Sequence, residues 1–146
     1  MSSSRAPKPR VGPFRHDPTF ELPTGVERAL FDAAAAALPH EACGLVVVDD
    51  RGAARAVVCE NVATTPRTSF RYAPQDQLRA AREHRAGRLV ALWHSHVDGP
   101  AELSPDDLRG LTLDGAPLYV GTHVLIVVSG PAAPSEVVAY SADTSM

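Results

Sequence analysis

Several classes of protein are excluded by what this chain lacks. Among its 146 residues there are two cysteines, Cys43 and Cys59, and they do not stand in CxxC spacing. Two is too few for a disulfide scaffold, and the spacing is wrong for a zinc knuckle. Both are expected to be small buried side chains, the common state of cysteine in a reducing cytosol. Neither sign of charge dominates. The formal net charge is −3, which gives no electrostatic footprint for nucleic acid or a membrane surface. No apolar run approaches the roughly 20 residues of a bilayer span, and the N-terminal stretch lacks the apolar segment of a signal peptide. Cytoplasmic residence is therefore expected. There is no internal repeat, and the length suits one domain with a single core.

Residues 1–18 contain Arg5, Lys8, Arg10 and Arg15, with serines and prolines and no acid before Asp17. Such a composition buries little, so a flexible basic tail is expected, followed by one domain over 19–146. Thr24 and Glu27 have the spacing of a capping box. Val26, Leu30, Ala34 and Leu38 then recur at helical intervals until Pro39 ends the helix. Cys43–Val48 is a β-branched run that predicts a covered strand, and 54–59 reads as its hairpin partner. A short strand is expected at 69–72. Pro74, Leu78 and Ala81 mark a second helix that Gly87 terminates. Further strands are predicted at 88–94, 118–120, 123–129 and 137–140, with a short helix starting near Ser104. Helices interleaved with hairpins imply an α/β fold with a mixed β-sheet flanked by helices.

The segment WHSHVDGPAELSPDD, from Trp93 to Asp107, carries the chemistry. On an extended strand, residues two apart point to one face, so His94 and His96 can converge on one ion. Zinc takes imidazole and carboxylate ligands at about 2.0–2.2 Å, and a catalytic site keeps three protein ligands plus a water. Asp98, Glu102, Asp106 and Asp107 are all candidates for the third. Ser104-Pro105 looks like a helix start, which brings Asp107 onto the face of Ser104. Trp93 is expected to pack in the core, and His16, His40 and His123 to be ordinary surface or strand residues. A zinc nucleoside deaminase is excluded, since it needs H-x-E with P-C-x-x-C and neither occurs.

His94-x-His96, seven residues, then Ser104-x-x-Asp107 resembles the signature of the JAMM (JAB/MPN/Mov34) metalloproteases, and Glu41 in HEACGLVVV is similar to the family's separate glutamate. The likeness spans roughly Thr24 to Tyr140 and implies a JAB/MPN fold, a cytidine-deaminase-like sandwich. It implies that His94, His96 and Asp107 ligate Zn2+, that Glu41 moves the proton, and that Ser104 donates to the oxyanion. It also implies a zinc-dependent peptidase or isopeptidase of compact prokaryotic type. Its substrate would be a protein or peptide, a ubiquitin-like or sulfur-carrier protein cut after its C-terminal glycine. A homodimer is compatible with the likeness; nucleic acid and membrane are not expected as partners. Val97 stands where many members have proline, and the chain is short for the substrate-gripping insertions of the eukaryotic deubiquitinases. Two alternatives lie within the likeness. NVATTPRTSFRYAPQDQLRA resembles the JAB domains of phage tail-assembly proteins, and some MPN domains are non-catalytic scaffolds.

Overall fold

The computed structural model describes residues 8–142. Its elements run β1 (Arg10–Val11), β2 (Phe14–His16), α1 (Val26–Ala37), β3 (Cys43–Val48), β4 (Ala54–Cys59) and α2 (Pro74–Arg85). They continue with β5 (Leu89–Val97), α3 (Pro105–Leu111), β6 (Thr112–Leu113), β7 (Ala116–Pro117), β8 (His123–Ser129) and β9 (Glu136–Ala142). Seven strands form one sheet in the order β1-β2-β9-β8-β5-β3-β4, while β6 and β7 make a separate hairpin. Within the large sheet, β5 and β8 run parallel and the other neighbours antiparallel. The fold is thus α/β, a mixed sheet flanked by helices.

Each face of the sheet has its own apolar layer. On one, α1 lays Val26, Leu30 and Ala34 against Val46, Trp93 and Leu125. Alanine on the contact face lets the helix lie close. Trp93 is fully buried there, and its Nε1 donates to the Leu45 carbonyl at 3.2 Å. Gly44 leaves room for the indole, because a Cβ at that position would collide with the Trp93 ring and the Val57 carbonyl. On the other face, Leu45, Leu92 and Ile126 meet Ala80 of α2 and Leu111 of α3. Strand alternation therefore aims His94 and His96, in step with Leu92, toward α2 and α3, and Ser95, in step with Trp93, toward α1.

Several local expectations are corrected. Residues 1–7 of the expected tail lie outside the described residues. Arg10–His16, however, is not a loose tail: β2 pairs with β9 at the sheet edge, and Phe14, 1% exposed, anchors it in the core. The basic composition concealed a single apolar anchor and a partner strand over a hundred residues away. Thr24 forms no capping box; Gly25, at φ 85°, is the N-cap and no side chain caps the helix. At 69–72 there is a single bridge between Asn61 and Tyr72 rather than a strand. Residues 118–120 are not a strand either. The chain turns earlier, through Asp114 and Gly115, both at positive φ, the Asp-Gly signature of a tight hairpin. In α2 it is Ala80 that is buried, while Leu78 is 58% exposed.

Candidate metal centre

β5 stays extended past both histidines because β8 pairs with it as far as Val97, opposite Ser129. Asp98 then turns the chain at φ 61°, its carboxylate accepting from the Ala132 N–H at 2.7 Å. The loop returns to α3, which opens on a complete capping box: the Asp107 N–H donates to Ser104 Oγ at 3.0 Å, and the Ser104 N–H donates to Asp107 Oδ2 at 2.9 Å. The cap sets the rotamer of Asp107 and aims its carboxylate at the strand.

Three potential ligand atoms meet there. His94 Nε2 lies 3.1 Å from His96 Nε2. Asp107 Oδ2 lies 3.2 Å from the first and 3.0 Å from the second. All three residues are buried. A tetrahedral ion with bonds of about 2.0–2.1 Å would separate its ligand atoms by about 3.3 Å, so the triangle is close to the right size.

Proton bookkeeping points the same way. His96 Nδ1 is 2.6 Å from the Pro100 carbonyl, which can only accept, so Nδ1 carries hydrogen. The neutral ring then presents a lone pair at Nε2, toward a carboxylate oxygen and a second imidazole nitrogen. A cation satisfies that convergence, and the bond to Pro100 is the outer contact that fixes a ligand's tautomer. Without a metal, a proton can take part of its place. Burial lowers the His96 pKa, but the hydrogen bond and charge of Asp107 outweigh it and the net shift is upward. Burial would also raise Asp107, yet His94 and His96 hold it well below the usual carboxylate range. For His94, burial prevails and the pKa falls. Among the described residues, no other group of three histidine, cysteine or acidic side chains brings ligand atoms so close.

Glu41 sits beside this triangle, 7% exposed, with Oε1 making no hydrogen bond. Burial is the largest influence on its pKa, with Asp107 and Asp106 adding to it and His96 opposing, and the net result is about 7. Ser104 is half-buried, and its Oγ accepts in the cap, which leaves its hydroxyl hydrogen for another partner. Asp98, Glu102 and Asp106 stay out of the triangle. Cys43 and Cys59 are free and buried, opposite one another on β3 and β4.

Three contributors escaped sequence reasoning. Asn61 uses all its hydrogen-bonding capacity: Nδ2 donates to the Glu41 and Ser69 carbonyls at 2.9 and 3.0 Å, and Oδ1 accepts from the Ala63 and Arg71 N–H groups at 3.0 and 3.1 Å. It thus joins the Glu41 segment to the loop bearing Phe70, whose ring stacks on His94 at 4.1 Å. Ser95, between the histidines, accepts the Ala42 N–H on its Oγ at 2.7 Å and ties β5 to the residue after Glu41. An asparagine just past a strand was the available signal for the first.

Residues 23–142 match the family model of prokaryotic homologues of the JAB domain, and the chain belongs to that family. The JAB family includes metalloproteases, and the buried triangle of this member could hold a metal ion. Among solved structures, the chain is similar to a protein from Desulfitobacterium hafniense determined in solution. The two are 28% identical, with a TM-score of 0.54, over 73% of this chain and 72% of the other. No curated protein matches the chain. No helix among the described residues is long and apolar enough to cross a membrane.

Proposed function

We propose that the protein is a zinc-dependent peptidase or isopeptidase that hydrolyses the amide bond after the C-terminal glycine of a ubiquitin-like or sulfur-carrier protein. The observation that carries this reading is the convergence of His94 Nε2, His96 Nε2 and Asp107 Oδ2 within 3.0–3.2 Å of one another, beside a buried carboxyl oxygen with no partner. Zinc has the fitting chemistry: two imidazoles and one carboxylate leave a fourth position open, and the ion supplies the acidity that makes water a nucleophile near neutral pH. The chain's own residues would do the rest. Glu41, buried with its Oε1 unpartnered, would accept the proton of the attacking water and return it to the leaving amine. Ser104, its oxygen held by the cap, would direct its O–H at the carbonyl oxygen as charge develops there. Water adds to the carbonyl, the C–N bond breaks, and the products are a carboxylate and an amine.

Purified protein should contain about one zinc per chain by elemental analysis, the stoichiometry of a single three-ligand site. Glu41→Ala should keep that zinc and lose hydrolysis. An active Glu41→Ala protein overturns the mechanism. The substrate class can be tested in the genome: a neighbouring gene for a small β-grasp protein ending in Gly-Gly supports it, and a tail-assembly cluster favours the phage-type peptidase.

A further inference from the structure

A recess of about 420 Å³ opens beside the metal centre, on the same face of the sheet. Phe70 is a shared wall, lining the recess while stacking on His94. Leu92, two residues before His94 on β5, is another lining residue, and Asp106, next to Asp107, stands at its edge. The volume is within the roughly 300–1,000 Å³ of ligand pockets.

The polar groups around it are mostly engaged with the protein itself. Tyr72 Oη donates to the Gly44 and Trp93 carbonyls, at 2.8 and 3.0 Å. Gln77 Nε2 donates to the Tyr72 carbonyl, Thr112 Oγ1 to that of Leu108, and Arg109 pairs with Asp106 at 2.9 Å. What remains to face a guest is an apolar set, Phe70, Ala80, Leu92, Leu118 and the Tyr119 ring, with the exposed Arg71 as the charged residue of the lining outside the Arg109–Asp106 pair. A polar guest would find few free partners and lose its water, whereas an apolar one loses nothing on entry. The lining also carries an exposed apolar residue, Leu118 at 42%.

Gly110 shows how the space is kept. It lies within α3 and lines the recess, with no left-handed backbone requirement and no heavy atom within 4 Å of where its Cβ would be. Glycine in a helix interior is unfavourable relative to alanine, and nothing in the backbone or packing here demands it. A Cβ at this position would meet open space, on a residue that lines the recess.

We propose that this recess is a specificity pocket for a bulky apolar side chain of the substrate, and that Gly110 determines its capacity. The proposal rests on the hydrolase reading above and adds a substrate preference to it. Leu92 and His94 are one strand repeat apart, about 6.6 Å, which an extended peptide spans in about two residues. The selected side chain therefore belongs about two residues from the scissile amide, which leaves small residues at the bond itself.

Binding tests the pocket independently of turnover. N-acetyl-phenylalanine amide and N-acetyl-glycine amide are titrated into the full-length protein, with zinc and after chelation, and amide shifts are followed by NMR. The phenylalanine compound is expected to shift Ala80, Gly110 and Thr112, and the glycine compound to leave them unmoved. Gly110→Leu should fold, bind zinc with unchanged stoichiometry, and weaken the phenylalanine compound at least tenfold. With peptide substrates, the same variant should raise KM for those with an apolar residue at the selected position and leave kcat near wild type. Equal shifts from both compounds, shifts elsewhere on the surface, or undiminished binding by a folded Gly110→Leu overturn the pocket. Loss of hydrolysis in every assay with this binding pattern intact overturns the hydrolase reading alone.

Discussion

Glu41 is a carboxyl group whose burial pushes its pKa up to about 7 from an ordinary value of 4.5. The fold thus favours its neutral form. The stability it contributes is complete below about pH 4.5 and is lost as pH rises through about 7. In zinc-free protein, wild type should therefore lose more stability between pH 5 and pH 8 than Glu41→Gln, which has no such proton to release. Urea denaturation at the two pH values with a chelator present measures the difference; equal losses contradict it. Under the proposed mechanism Ser104 would have two separable roles, of which the cap is the one seen in the structure. Ser104→Ala should cost about 1 kcal/mol of stability through loss of the cap, keep the zinc, and lower kcat by about 10²–10³ through loss of an oxyanion donor. Ser104→Thr retains a hydroxyl and should restore much of both. An alanine variant with normal kcat removes Ser104 from the chemistry.

At the scale of elements, the centre depends on a strand end, a helix start and a loop that meet through few contacts. Asn61 joins two of those segments, so Asn61→Ala leaves the Glu41 and Ser69 carbonyls without a donor. The expected cost is about 2–6 kcal/mol, taking about 1–3 kcal/mol for each of the two carbonyls left unsatisfied, with zinc retained because no ligand moves. Urea denaturation and zinc analysis check the pair of outcomes. The same contrast explains what could be read in advance. The strands 43–48, 54–59 and 123–129 were legible because β-branched runs report local preference, and His94, His96, Ser104 and Asp107 were legible because their spacing is short and fixed. Asn61 and Phe70 were not. The contacts that tie them to the centre, Asn61 to Glu41 and Phe70 to His94, span 20 or more residues, and neither residue type announces such a role. β2 was hidden for a similar reason, since its pairing with β9 leaves no local periodicity to detect. Thr24 misled because Gly25 adopts a positive φ that local spacing does not encode.

On the scale of the whole molecule, the sheet divides the labour. The α1 side is a packed apolar layer around Trp93 that reaches the centre through Ser95 and its bond to Ala42, and the opposite side bears the triangle and the recess. Adjacent strands β5 and β8 are joined by residues 98–122, an excursion that includes α3 and the β6–β7 hairpin. Metal removal should affect the two parts unequally. After chelation, hydrogen exchange should accelerate across 98–122 and remain slow in Val124–Val128; uniform acceleration would show that the ion supports the entire fold.

Because Asp107 lies on that excursion while His94 and His96 lie on the strand before it, an ion bound by all three acts as a rivet between a scaffold and a movable flank. Starved of metal, the molecule would slacken first where substrate is handled, while the plate behind it stays assembled and ready to be refilled. Proteolytic sensitivity of the flank would then report whether the triangle is filled.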